Sequence, residues 1–128
     1  MPDRSTTPTE KPVHWIGSSK RDLLTFPEQV VSDMGYALGL AQLGGKHPDA
    51  KPWKGQGSGV FELVERNEGD AYRAVYTVRF EAAIYVLHAF QKKSPKGIRT
   101  DQRDVDLVAR RLRLAQEDYE QRVGKRRG

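Results

Sequence analysis

The sequence contains no cysteine, which excludes a disulfide framework, a thiolate metal site and a cysteine nucleophile. No stretch approaches the about 20 apolar residues that a membrane-spanning helix requires, and the N-terminus lacks the apolar core of a secretory signal. There is also no phosphate-binding P-loop motif and no closely spaced set of metal ligands. We therefore expect a cytoplasmic protein that uses neither a metal nor a cofactor.

The most prominent feature that is present is positive charge. The 128 residues include 22 Lys+Arg and 17 Asp+Glu, a formal net charge of +5. This charge permits nucleic acid, an acidic protein or an anionic membrane surface as partner. We expect a disordered tail over residues 1–12, which are rich in Pro, Ser and Thr, a single domain over 13–123, and a basic C-terminal end over 124–128.

Hydrophobic periodicity predicts an α+β fold with the order β-α-α-β-β-β-α. Val30, Met34, Leu38 and Ala41 recur at steps of four, four and three, which is typical of one helical face. A second helical stripe over 101–122 consists of Val105, Val108, Leu112, Ala115 and Tyr119. The alternation over 71–79 predicts a strand that turns Arg73 and Arg79 away from its core face. The predicted strands cover 13–17, 60–66, 71–79 and 82–90, and the predicted helices cover 20–26, 27–43 and 101–122. Residues 67–70, Asn-Glu-Gly-Asp, predict a hairpin turn between the second and third strands.

Cations flank the predicted strands at three places. They are Lys46, Lys51 and Lys54 in the loop before the hairpin, Arg73 and Arg79 on one strand, and Lys92, Lys93 and Lys96 after the last strand. If these segments converge over one face of the sheet, the cations line a cleft that suits a polyanionic backbone. Such a cleft also suits metal-free RNA cleavage, in which a 2′-OH attacks the adjacent phosphate. A solvated charged surface is the simpler alternative.

Histidine and tryptophan provide further candidates. His88 has the chemistry of a general base, but its position inside an apolar strand favours a hydrogen-bonded histidine in the core or at its rim. Trp53, between Pro52 and Lys54, is the better candidate for stacking on RNA bases. We expect Trp15 to belong to the core.

An ordered series of short motifs resembles the phage-related HigB-like branch of the RelE/ParE toxin superfamily. The resemblance covers about residues 13–113. Its motifs are WIGSSKRDL (15–23), FPEQV (26–30), GYAL (35–38), QLG (42–44), KPWKG (51–55), YRAVY (72–76), YVLHAFQKKS (85–94) and DLVARRL (106–112).

The resemblance implies a RelE-like fold, in which two N-terminal helices and one C-terminal helix pack on a small antiparallel sheet. It implies the toxin component of a type II toxin-antitoxin system, partnered by a cognate antitoxin that is a small helix-turn-helix protein. Members of the RelE and HigB type are mRNA endoribonucleases, often acting on the ribosome. They need no metal and leave a 2′,3′-cyclic phosphate and a 5′-hydroxyl.

Several cations of this chain match site residues of the family by position. Lys51 and Lys54 match the basic loop before the hairpin, and Arg73 matches the arginine of the Y-R-x-V-Y strand. Lys92 and Lys93 match the basic pair at the end of the sheet. The resemblance implies that such cations hold the scissile phosphate, and that one of them acts as general acid or base if its neighbours lower its pKa.

Two departures from the family pattern stand out. The C-terminal tyrosine that RelE-type enzymes place near the substrate has no match, because Tyr119 lies too far along the last helix. Thr100-Asp101 stands where this branch has Thr-Pro, although either residue can cap the helix. The missing tyrosine leaves the general base unassigned.

Two other functions fit the same fold. One is a ParE-type toxin that inhibits DNA gyrase by protein contact, and the other is a phage remnant that only binds RNA. The cluster of cations favours the nuclease, because gyrase binding does not need cations that converge on one phosphate. The apolar helix over 28–43 either offers a surface to the antitoxin or packs on the sheet.

Overall fold

The computed structural model describes residues 10–92 and 101–127, and these form one five-stranded sheet with three helices. The predicted α+β class is confirmed, and so is the predicted order of elements, apart from one additional short strand. The elements are β1 (Val13–Trp15), α1 (Ser19–Leu24), α2 (Glu28–Gln42), β2 (Lys51–Pro52), β3 (Val60–Asn67), β4 (Asp70–Thr77), β5 (Ile84–Lys92) and α3 (Gln102–Arg127).

The sheet has the strand order β1-β5-β4-β3-β2. Strands β2 to β5 pair antiparallel, as expected, but β1 runs parallel to β5, with Val13 opposite Ile84. The sheet is therefore mixed, and the expectation of a purely antiparallel sheet was wrong for β1. Strand β2 lies inside the predicted loop, because two residues are too short to show a period of two.

The hairpin between β3 and β4 has the turn that the sequence predicts. Glu68 has φ 50° and Gly69 has φ 89°, and two consecutive positive φ values match the right-handed twist of the flanking strands. Strand β4 ends at Thr77, so the predicted strand was two residues too long and Arg79 lies outside the sheet.

Helix α2 covers one side of the sheet. Its predicted inner face is confirmed, since Val30, Met34, Leu38 and Ala41 are all buried. Strand residues Ala74 and Tyr76 face α1 and α2 and belong to the clusters that these helices bury. Leucine and methionine at helical spacing therefore close this side with apolar contact.

Helix α3 covers the other side of the sheet, and its predicted apolar stripe is confirmed. Val108, Leu112 and Ala115 are buried, and Val105 and Tyr119 pack against the same cluster. None of the helices in the described part of the chain is both long and apolar enough to cross a bilayer.

Polar contacts fix the position of α3 across β5. The Tyr85 hydroxyl donates to Asp118 Oδ2 at 2.6 Å, and Arg111 Nη1 donates to the Leu87 carbonyl at 3.0 Å. A Cβ at Gly17, where φ is +59°, would lie 2.9 Å from Arg111 Nη2. Glycine at 17 therefore makes room for the guanidinium that ties α3 to the sheet.

Candidate nucleic-acid interface

A row of side chains crosses the α3 side of the sheet near the start of α3. Lys51 lies opposite Glu62, Glu62 opposite Val75, and Val75 opposite His88, so the four share one row and one face. Arg73 lies two residues before Val75 and therefore on the same face. The polar members of this surface, which we call the α3-side cluster, are Lys51, Glu62, Arg73, His88 and Asp104.

Arg73 is held by a carboxylate in the adjacent strand. Its Nη1 lies 3.2 Å from Glu62 Oε2 and 3.4 Å from Oε1, and the two side chains are only 13% and 16% exposed. The Arg73 Nε is buried and has no hydrogen-bond partner among the described residues. A guanidinium recognises phosphate by the same geometry as carboxylate, so Glu62 occupies a position that a phosphate could also take.

His88 connects the sheet to the first turn of α3. Its Nε2 lies 2.8 Å from Asp104 Oδ1, and its ring stacks on Phe90 with centroids 4.5 Å apart. Burial lowers the pKa of His88, while the nearby Asp104 carboxylate opposes that shift. The ring is then neutral near pH 7 and donates its Nε2 proton to Asp104. The preferred interpretation of His88, as a hydrogen-bonded histidine at the rim of the core, is confirmed.

Lys51, a member of this cluster, and the nearby loop residue Lys54 are both exposed. Lys51 lies in β2 directly opposite Glu62, and Lys54 lies in the turn that follows β2. Neither lysine makes an ion pair with another described residue. The charge of Lys51 is therefore available to a ligand on the α3 side of the sheet.

Lys46 and Arg79 do not join the cluster. Lys46 Nζ lies 5.1 Å from the centre of the Phe61 ring, and Phe61 packs with Tyr76 on the α2 side. The Arg79 guanidinium donates to the carbonyls of Gln56 and Ser58, with Nε to Ser58 O at 3.2 Å. Expecting both in one cleft was wrong, because Lys46 lies over the opposite face and Arg79 holds the loop before β3.

Trp53 is buried, contrary to expectation. It is 5% exposed and packs in the cluster that contains Val60, Val75 and Phe80. The backbone N–H of Trp53 donates to the Val60 carbonyl at 2.8 Å, so the chain stays paired with β3 beyond β2 and Trp53 joins the core. The expected exposed indole for base stacking is therefore absent at this position, whereas Trp15 is partly buried against the α2-side clusters as predicted.

The last group of predicted cations lies at or beyond the end of the described strand. The backbone of Lys92 pairs with Ala71, whereas Lys93 and Lys96 lie outside the described residues. Their roles remain predictions. The predicted cap of α3 also lies at this boundary: the Arg103 N–H donates to Asp101 Oδ1 at 3.1 Å, and Thr100 falls outside.

Sequence reasoning missed Glu62 and Asp104. Glu62 is an ordinary polar residue of an alternating strand, and only the register brings it beside Arg73. Asp104 is 16 residues from His88, a separation that carries no recognisable motif. Among residues 10–92 and 101–127, no group of three or more His, Asp or Glu side chains could hold a metal ion.

A family comparison agrees with the motifs in the sequence. Residues 21–113 match the family described as "Phage derived protein Gp49-like (DUF891)". Among solved structures, the RelBE2 toxin-antitoxin complex of Mycobacterium tuberculosis contains a similar chain. That chain is 18% identical with a TM-score of 0.43, and the match covers 67% of this chain and 95% of the other. No curated protein is significantly similar in sequence.

Proposed function

Because the chain belongs to the phage-derived Gp49-like family, we propose that it is a type II toxin of the HigB-like branch and cleaves mRNA without a metal. The observation that supports this activity is the α3-side cluster, in which Arg73 and Lys51 lie on one face of a rigid sheet. The proposed partners are mRNA, on the ribosome or free, and a cognate helix-turn-helix antitoxin in the cytoplasm.

The proposed reaction is an intramolecular transesterification at one phosphate of the RNA backbone. The 2′-oxygen loses its proton and forms a bond to phosphorus, while the bond from phosphorus to the 5′-oxygen breaks and that oxygen takes up a proton. Lys51, Lys54 and Arg73 would stabilise the negative charge that develops on the phosphate oxygens. Lys92 and Lys93 are expected to add to this charge at the end of β5.

Glu62 is the proposed proton acceptor that the sequence left unassigned. His88 already donates its Nε2 proton to Asp104, and its Nδ1 is buried without a partner among the described residues. A phosphate that binds Arg73 would displace the Glu62 carboxylate from the guanidinium and leave it beside the ligand. We assign His88 and Asp104 a positioning role, because they fix the start of α3 next to the cluster.

A ParE-type inhibitor of DNA gyrase is the alternative function. The same family resemblance leads to it, and a fold by itself does not choose between the two. The exposed Lys51, on the same face of the sheet as Arg73, favours the nuclease, since it supplies charge where a backbone phosphate would bind.

The decisive experiment tests the purified, antitoxin-free protein on mRNA, both free and on translating ribosomes, with and without EDTA. We expect cleavage that EDTA does not reduce, with 2′,3′-cyclic phosphate ends at the cuts. Gyrase supercoiling is measured in parallel. Intact RNA in both settings together with inhibited supercoiling would reject the nuclease hypothesis and support the ParE-type function.

A further inference from the structure

After Asp33, the outward face of α2 carries no charged side chain. The buried residues Val30, Met34, Leu38 and Ala41 define its inner face. The opposite residues, which we call the α2 outer face, are Ser32, Gly35, Tyr36, Gly39 and the C-cap Leu43. Tyr36 is 64% exposed and Leu43 is 57% exposed. Solvated helix faces normally carry charged residues, so this face has the composition of a contact surface.

Two glycines leave the α2 outer face without side chains at two positions. Gly35 and Gly39 lie four residues apart in the helix interior, where glycine is less favourable than alanine. A Cβ at either position would meet no atom within 4 Å, and neither residue has a positive φ. The fold of this chain therefore does not require glycine at 35 or 39, whereas close approach of another backbone would.

An acidic cavity borders the same face. Its volume is about 420 Å³, and its lining is Ser32, Asp33, Tyr36, His47, Asp49 and Glu65. No lysine or arginine lines it, and α2 itself contains neither. Burial, and after it the neighbouring Asp33 and Asp49, raise the pKa of Glu65 above its ordinary value, while His47 opposes the shift.

We propose that the α2 outer face binds an amphipathic helix of the antitoxin, which places small apolar side chains over Gly35 and Gly39 and a Lys or Arg in the acidic cavity. The identity of the partner rests on the proposed function. The charge complementarity requires a basic rather than an acidic helix. Because this face lies on the opposite side of the sheet from the α3-side cluster, the contact anchors the antitoxin without covering the RNA site.

The test measures the dissociation constant between the full chain and the purified protein encoded in the adjacent reading frame. Gly39→Gln fills the space above the helix, and Gly124→Gln is the matched control at an equally open glycine of α3. Since glutamine favours helix, we expect both substitutions to raise the melting temperature. Only Gly39→Gln should weaken binding, by about tenfold or more.

Charge reversal tests the acidic cavity separately. Asp49→Lys should weaken binding and reduce its salt dependence, whereas Glu117→Lys on the exposed surface of α3 should change neither. Unchanged affinity in both Gly39→Gln and Asp49→Lys, or no complex with the unmodified chain, would overturn the proposal. RNA cleavage by each free variant is assayed independently, so failure of the nuclease function is seen as lost cleavage with the binding results intact.

Discussion

The two sides of the sheet show how differently one strand can be used. On the α2 side, two helices cover residues such as Ala74 and Tyr76 with apolar contact. On the α3 side, a single helix covers the sheet, and the same strand contributes Arg73 to an ion pair with Glu62. The ion pair therefore lies on the α3 side of the sheet, whereas the residues of the same strand that face α1 and α2 make apolar contacts.

Met34→Ala is expected to have the largest effect on stability, because it leaves a cavity between α2 and the sheet. Met34 is 0% exposed, and truncation of a buried methionine costs about 2–5 kcal/mol in the free energy of unfolding. Urea denaturation measures the loss. Leu114→Ala, at a leucine that is 47% exposed, is the control and should cost less than about 0.5 kcal/mol. Equal losses would contradict the comparison.

Arg73→Ala, on the α3 side of the sheet, should lower both RNA cleavage and stability. We expect RNA cleavage to fall about 100-fold, as for the loss of one charge-stabilising donor. We also expect a loss of about 2 kcal/mol in unfolding free energy, since Glu62 is left 16% exposed without its partner. The double substitution Arg73→Met, Glu62→Leu should regain stability but not cleavage. Retained cleavage in the folded double variant would remove both residues from the site.

Lys51→Ala and Lys46→Ala compare the two sides directly. Lys51 lies on the α3 side, whereas Lys46 lies over Phe61 on the α2 side. We expect Lys51→Ala to weaken RNA binding about tenfold and to lower the slope of log K against log salt by about one. Lys46→Ala should leave both quantities unchanged. Filter binding over a salt series makes the measurement, and equal effects would place RNA on both sides.

The smallest expected effect is the pH dependence that His88 adds. Burial lowers its folded pKa below the ordinary 6.5, with Asp104, Arg111 and Asp22 as the charged neighbours. As pH falls from 6.5 toward the folded pKa, the unfolded chain binds the proton more readily, so stability is lost. Urea midpoints at pH 7 and pH 5 should differ less in His88→Gln than in the unmodified chain.

The control for this measurement is His14→Gln, because burial lowers the pKa of His14 in the same direction. If His14→Gln alone removes the pH dependence, the contribution assigned to His88 is wrong.

Local patterns were sufficient to predict the helices, the hairpin and the apolar stripes. The faces of α2 and α3 follow from the helical period, and the turn at Glu68 and Gly69 follows from its residue types. These features depend on interactions between neighbours in sequence, which a pattern of a few residues contains.

The composition of the site was harder to predict, because it depends on which strands pair. Arg73 was predicted as a site residue, but its carboxylate partner was not, because only the β3–β4 register places Glu62 beside it. Trp53 was expected outside because its neighbours are Pro52 and Lys54, yet continued pairing with β3 brings it into the core. Flanking polarity does not reveal which way a side chain points when a strand is too short to alternate.

The parallel pairing of β1 with β5 sets the time at which the sheet is completed during synthesis. β1 is made first but its only neighbour in the described sheet is β5, where Val13 meets Ile84. A chain emerges from the ribosome N-terminus first, so β1 must wait for nearly the whole domain. His88 lies on that late strand, so the α3-side cluster forms only after β5 and the first turn of α3 have been made. In the proposed toxin, the RNA site would therefore be among the last parts of the domain to form.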